Sequence, residues 1–171
     1  MYNQADVAVA NATSRTNGAV GANAIVPRKV REYLADFSNK EGTILDFGAG
    51  KHAAHAQALR DEGYTNVTAY EFGDNVNPQL HDVDALERKY DVVYASNVLN
   101  VQSHLAMMAM TIRKIADAVN PMGVFIANYP QSPRKSNLTP SEVVELLEEQ
   151  FETVIRMKGT TASAPVWMCM K

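Results

Sequence analysis

Apolar and polar positions follow two rhythms along this chain. Near-continuous apolar runs occupy Ile44 to Phe47, Val67 to Glu71, Tyr90 to Ser96 and Gly123 to Asn128. Runs of that length and character suit strands buried on both faces of a sheet. Between them, apolar residues recur every three or four positions, the spacing of one helical face. Val30, Tyr33, Leu34 and Phe37 mark a helix from Pro27 to Phe37, with the proline at its start, where a missing N–H costs nothing. Ala53 to Glu62 reads as a helix stopped at Gly63, and Leu105, Met108, Ile112, Ile115 and Val119 give a long helix over His104 to Val119. Thr139-Pro140-Ser141-Glu142 is a capping box opening a helix that runs to about Gln150 and carries Val143, Leu146 and Leu147. Thr153 to Met157 and Val166 to Met170 read as a closing antiparallel hairpin. Phe72 to Arg88 fits neither rhythm and is left as a loop with a short strand or turn. Strands alternating with helices imply a right-handed, mostly parallel α/β sheet with helices on both faces. Residues 1–24, rich in Ala, Asn, Thr and Gly with no sustained period, read as a flexible arm, and 25–171 as a single domain.

Composition narrows the class. At 171 residues with 46% apolar and 20% charged content, the chain suits one ordinary core. No apolar run nears the roughly 20 residues that cross a bilayer, and no leader pattern opens the chain. One cysteine, Cys169, excludes an internal disulfide. These features imply a cytoplasmic protein without a membrane partner. A net charge of −3 gives no general attraction to nucleic acid, so a polyanionic substrate requires a local patch. Arg15, Arg28, Lys29, Arg31, Arg134 and Lys135 are the candidates for one.

The chemistry concentrates after the first run. Ile44-Leu45-Asp46-Phe47-Gly48-Ala49-Gly50 is a strand, an acid and a G-x-G turn ahead of a helix, a layout that holds an adenosine-containing cofactor. Glu71 follows Gly50 by 21 residues at the exposed end of the second strand, where its carboxylate can accept both ribose hydroxyls. A dinucleotide needs a third glycine, which this loop lacks.

The segment resembles motif I of class I S-adenosylmethionine-dependent methyltransferases. Ile44, Leu45, Asp46, Gly48 and Gly50 match, while His52 stands in place of the last glycine. Tyr90 to Val101 resembles that family's fourth strand and motif IV. Pro121-Met122-Gly123 resembles its Pro-Gly-Gly turn, and Asp82-Val83-Asp84-Ala85-Leu86 its adenine-contacting segment. The phrase Ser96 to Val101 is similar to methyltransferases of phages and of DNA-modification systems. The resemblance implies a Rossmann-like, seven-stranded sheet in a minimal methyltransferase-like domain. It also implies S-adenosylmethionine as cofactor, bound by Asp46, Gly48, Gly50, Glu71, Asp84 and Ser96, with Asp82 the rival of Asp84. Asn97 and Tyr129 are the catalytic candidates, Asn97 by accepting from a substrate amine and Tyr129 by stacking on a planar acceptor. Each has a structural alternative, Asn97 as a helix cap and Tyr129 as a buried loop aromatic. The Asn/Asp-Pro-Pro-aromatic motif of amino-group methyltransferases is replaced by Ser96-Asn97-Val98-Leu99. The acceptor is therefore open between a nucleic acid base nitrogen and a small molecule. The missing motif also leaves room for a non-catalytic cofactor-binding subunit of a larger complex, or for a homo-oligomer. A nicotinamide dehydrogenase is the third reading. No supporting ligand flanks His52 and His55 at metal spacing, so no metal is expected.

Overall fold

The structure, a computed structural model, describes residues 2–16, 24–36 and 39–171, and the side chains of all of these except 14–16. Phe37 and the arm segment 17–23 lie outside the described residues.

Six strands form one sheet among the described residues: β1 Ile44–Phe47, β2 Val67–Tyr70, β3 Tyr90–Ala95, β4 Val119–Asn128, β5 Thr153–Arg156 and β6 Val166–Met170. Their spatial order is β2-β1-β3-β4-β6-β5. The first four are parallel, and β6 lies antiparallel between β4 and β5. Among the described residues the expected seventh strand does not form. In the segment after β2, two 3₁₀ turns, Gly73–Asn75 and Ala85–Glu87, take its place. There the Asp82 N–H donates to the Ala69 carbonyl at 2.8 Å, a single ladder bond in a stretch interrupted by Pro78.

The helices are α1 Gln4–Thr16, α2 Ile25–Ala35, α3 Ala54–Asp61, α4 Leu105–Asp117 and α5 Pro140–Glu148. Alternation along the strands sends Leu45, Phe47, Val93 and Phe125 to one core with Met108 and Ile112 of α4 and Leu147 of α5. Ile44, Val92, Tyr94 and Ile126 face the other, against Val30 of α2 and Leu59 of α3. The helices thus cover both faces, as the alternation implies. Thr139 makes its reciprocal cap with Glu142, and Gly63 ends α3 at φ +99°. Pro27 sits at the third helical position rather than the first, still within the turn whose N–H groups lack partners. Met108, Ile112 and Ile115 are buried as the stripe implies, joined by Met107 and Thr111; Leu105 is exposed and Val119 opens β4. Among the described residues, no helix is long and apolar enough to cross a membrane.

The N-terminal arm contains an element that the periodicity misses. Asn3 caps α1 by accepting from the Ala5 N–H at 2.8 Å. Tyr2 then fastens it: its hydroxyl donates to Thr111 Oγ1 at 2.7 Å and its ring stacks on Phe72. Asp6 pairs with His104 at 2.8 Å. Gly73 is needed here because a Cβ would lie 2.3 Å from Asn11 Nδ2. The inward positions of α1 are Ala10, Asn11 and Thr13, too small and polar to read as an apolar stripe.

Candidate functional site

A cavity of about 240 Å³ opens at the carboxyl ends of the parallel strands, the place where open α/β sheets bind ligands. Gly48 and Gly50 after β1, Glu71 and Phe72 after β2, Ser96, Asn97 and Asn100 after β3, and Pro130, Ser132 and Pro133 after β4 line it. Ala10, Asn11 and Thr13 of α1 form a further wall, and His55 of α3 completes it.

The two glycines do different work. Gly48 at φ +76° lies against Val98, where a Cβ would come within 2.6 Å of a methyl group. Gly50 at φ +80° has open space on its Cβ side, so bare backbone borders the cavity. The Gly50 peptide unit is held from both ends. Its N–H donates to Glu71 Oε2 at 2.8 Å, and its carbonyl meets His81 Nε2 at 2.8 Å. His81 Nδ1 accepts from the Asn77 N–H at 2.9 Å, so Nε2 carries the proton and donates to Gly50. The other Glu71 oxygen accepts from the Phe72 N–H at 3.0 Å. Glu71 is therefore buried, not exposed as its place at a strand end implies, and burial raises its pKa against those two hydrogen bonds. Each oxygen keeps a second lone pair for a ligand hydroxyl.

Asp46 stands apart. Strand alternation points it away from the α4 core and toward α3, next to the Tyr94 hydroxyl. It is 1% exposed, and neither carboxylate oxygen nor the Tyr94 hydroxyl completes a hydrogen bond. Burial pushes its pKa up to about 7; Tyr94 and the first turn of α3 pull the other way, and the Glu71 charge adds to the rise. Asp46 does not line the cavity.

On the far side, Asn97 sits at φ +58°, a left-handed backbone that asparagine tolerates better than most residues. Its N–H donates to Asn128 Oδ1 at 2.8 Å, and Asn128 Nδ2 donates to Asn97 Oδ1 at 2.8 Å. Asn97 thus ties β3 to β4 and caps no helix. Ser96 lines the cavity with its hydroxyl buried and unpartnered.

Besides Asp46, two candidates do not line the cavity. Tyr129 has no exposed surface; its hydroxyl donates to the Leu138 carbonyl at 2.7 Å, its ring stacks on Trp167, and the Arg134 guanidinium lies 4.2 Å from its centroid. It anchors the loop after β4 and presents no face to a substrate. Asp84 is exposed at a 3₁₀ turn and outside the cavity, while Asp82 pairs with Arg88 at 2.5 Å. Of the basic candidates, Arg134, Lys29 and Arg31 are tied internally, while Arg28 and Lys135 are exposed. Arg134 donates to the carbonyls of Pro130, Tyr129 and Ser163. Lys29 meets Glu32 and the Lys158 carbonyl, and Arg31 pairs with Glu62. The Arg15 side chain lies outside the described residues. His52 is exposed and does not line the cavity. Among the described residues, no three His, Cys, Asp or Glu side chains gather around a metal position.

Phe72 and His81 are absent from the sequence-derived site, whereas Asn100 follows β3 with Ser96 and Asn97, where the sequence places ligand groups. His81 has a legible signal only in hindsight: a histidine ten residues past the strand-end acid is an ordinary loop residue until the fold brings it to Gly50.

A family profile described as a methyltransferase domain matches residues 22–156. The fold is similar to magnesium protoporphyrin IX methyltransferase from Synechocystis PCC 6803 with bound S-adenosylmethionine: TM-score 0.63 and 13% identity, over 100% of this chain and 98% of that one. It is also similar to the glycopeptide N-methyltransferase MtfA complexed with S-adenosyl-L-homocysteine: TM-score 0.60 and 14% identity, over 99% and 98%. TehB from Haemophilus influenzae gives a TM-score of 0.57 at 15% identity, over 84% of this chain and 62% of that one. No curated protein sequence matches the chain.

Proposed function

The chain belongs to the methyltransferase-domain family, and from that premise we propose that its acceptor is a small molecule enclosed between α1 and the ends of β3 and β4. The methyl donor of this family is S-adenosylmethionine, which supplies a methyl group on a positively charged sulfur. The residues present fit that donor. Bare Gly50 backbone borders the cavity, Glu71 offers lone pairs to ribose hydroxyls, and the Ser96 hydroxyl has no protein partner. Gly48, Gly50, Glu71 and Ser96 would hold it. Asp46 acts from beneath, as a buried acid beside the loop rather than a wall of the cavity. Methyl transfer needs alignment and exclusion of water more than a strong base, and positioning alone supplies about 7–11 kcal/mol.

The observation that carries the acceptor reading is α1. Ala10, Asn11 and Thr13 wall the cavity, held there by the Tyr2–Thr111 and Asp6–His104 contacts. A site narrowed by the α1 wall suits a small acceptor, and the internal pairing of Lys29, Arg31 and Arg134 speaks against a phosphate-backbone track. Calorimetry with S-adenosylhomocysteine and with NAD tests the premise. The expected result is binding of the first alone, with a higher melting temperature because only the native state binds. NAD binding without S-adenosylhomocysteine binding sinks it. Deleting residues 1–16 should reduce turnover on a small acceptor more than it reduces cofactor affinity; unchanged turnover sinks the enclosed-acceptor reading.

A further inference from the structure

We propose that Asn100, rather than Asn97, holds the acceptor, and that the atom methylated is a nitrogen bearing an N–H. The inference rests on the methyltransferase reading of the cavity and extends it to the class of acceptor.

Asn97 lies two positions after β3, and its side-chain oxygen already has a partner in Asn128, which holds it toward β4. A backbone N–H can only donate, so the Asn97 N–H fixes Asn128 Oδ1 as the acceptor in their contact. Asn128 must then donate from Nδ2, and it does so to Asn97 Oδ1.

Asn100 is oriented by the same logic with the opposite result. Its Nδ2 donates to the Pro133 carbonyl at 3.0 Å, and its backbone carbonyl accepts from the Lys135 N–H at 2.9 Å. A carbonyl accepts only, so nitrogen must face Pro133 and Oδ1 is turned elsewhere. Asn100 is 3% exposed and lines the cavity, yet Oδ1 has no hydrogen-bond partner. A buried amide oxygen left unmatched is rare in native proteins and costs about 1–3 kcal/mol. No protein donor on the adjoining wall reaches it: Pro130 and Pro133 have no N–H, and Ser132 beside them makes no hydrogen bond to Oδ1. The donor therefore comes from a ligand.

Its place in the sheet says which ligand. Glu71 follows β2, at one edge of the sheet, with β1 beside it. Asn100 and Pro133 follow β3 and β4, across β1 from that end. A group reaching Asn100 Oδ1 belongs to the acceptor side.

The chemistry selects nitrogen. An amine uses its lone pair to attack and keeps an N–H for Asn100. The new N–C bond forms as the C–S bond breaks with its electron pair left on sulfur. Positive charge develops on the nitrogen, so the N–H···Oδ1 bond strengthens in the transition state. The proton then passes to water. A hydroxyl acceptor needs its proton removed to become a comparable nucleophile. An amide oxygen is too weak a base for that, and a deprotonated oxygen would set lone pair against lone pair.

The test uses the full chain with S-adenosylmethionine and two matched probe sets: aniline and benzylamine against phenol and benzyl alcohol. Methyl gain is read by mass, and S-adenosylhomocysteine affinity by calorimetry. Methylation is expected in the first set, on nitrogen. Asn100→Leu, which removes donor and acceptor, should lower turnover about tenfold or more, the kinetic equivalent of one lost hydrogen bond to a charged group. Asn100→Asp keeps the acceptor and loses the donor to Pro133, so it should retain most of the turnover that Asn100→Leu loses. Both variants should bind S-adenosylhomocysteine within about twofold of the parent, a difference below the scale of one hydrogen bond. Equal losses in both variants would show that Asn100 serves only to hold Pro133, and would overturn the proposal. So would methylation in the second set, methylation in neither set while S-adenosylhomocysteine binds, or a large loss of S-adenosylhomocysteine affinity in both variants, which would assign Oδ1 to the donor. Failure of the parent chain to bind S-adenosylhomocysteine would instead overturn the methyltransferase reading itself.

Discussion

The two ends of the cavity pair their polar groups differently. At the β1–β2 end, Glu71 accepts from Gly50 and Phe72, His81 donates to Gly50 and accepts from Asn77, and the loop is set before any ligand arrives. At the β3–β4 end, Asn100 Oδ1 is buried without a partner, although the backbone around it is fixed by Asn128 and Pro133. A satisfied network gives a rigid seat whose geometry does not depend on the ligand. Buried groups without partners favour whichever ligand completes them and penalise one that does not. The first arrangement suits a donor that is the same in every turnover. The second suits selection among acceptors.

The largest test of this contrast is Glu71→Ala. It removes two charge-assisted hydrogen bonds from the loop as well as any ribose contact, each worth about 1.5–3 kcal/mol. S-adenosylhomocysteine affinity should fall by about 3 kcal/mol by calorimetry, an estimate on the same scale. Because Glu71 is buried, stability should fall with it, which a strand-end solvated acid would not produce. An affinity within twofold of the parent would mean that the seat does not depend on Glu71.

Much of this contrast is beyond the reach of the sequence. Asp46, Gly48, Gly50 and Glu71 are legible because the strand, turn and acid follow one another at short, fixed distances. The parallel order and the final hairpin are legible because helical and strand periods alternate clearly. The pairing of Asn97 with Asn128 spans 31 residues and depends on the β3–β4 register, which no local pattern encodes. Tyr129 reads as a site aromatic because it ends a strand. Its burial follows from Trp167 and Arg134, remote or outward-looking in the sequence. Asp84 misses the cavity because the segment after β2 settles as 3₁₀ turns that leave it exposed. The helix α1 escapes notice because a helix face that borders a cavity carries Ala10, Asn11 and Thr13 in place of an apolar stripe.

Asp46 sharpens the contrast from below. It is an unpartnered group on the β1 side, and its effect should appear as pH-dependent stability. In the unfolded chain it loses its proton near the ordinary 3.8, and in the fold near 7. Between those values the native state holds a proton that the unfolded chain has released. Stability therefore falls as pH rises from about 4 to about 7, and the full cost remains above that. Asp46→Asn should remove this slope. In urea denaturation the variant should gain on the order of 2 kcal/mol relative to the parent between pH 4 and pH 8, discounted from the full shift for relaxation around the buried acid. An equal stability difference at both pH values would mean that the carboxylate is ionised or protonated throughout.

The smallest effect concerns backbone strain, which also divides the site from the rest. Three non-glycine residues among those described adopt positive φ: Ala53 at +48°, Asn97 at +58° and Met122 at +67°. Ala53 and Asn97 flank the two ends of the cavity; Met122 lies near the start of β4, at the irregularity where its register against β3 shifts, and where the resemblance calls for glycine. A left-handed backbone costs a side-chain-bearing residue about 1–2 kcal/mol. Met122 is 93% exposed, so its side chain contributes little packing to offset that cost. Met122→Gly should stabilise the chain by about 1 kcal/mol, less than the full strain because glycine also gains freedom in the unfolded chain. Ala53→Gly should gain less, since Ala53 is buried against the α2–α3 core and its methyl would be lost. Neither should alter S-adenosylhomocysteine affinity by calorimetry. Asn97→Gly is the informative third: it relieves the same strain but breaks the side-chain half of the Asn128 bridge. Turnover should fall while stability changes little. If all three raise stability equally and leave turnover intact, the strain at Asn97 is as incidental as that at Met122, and the β3–β4 end is not built to select.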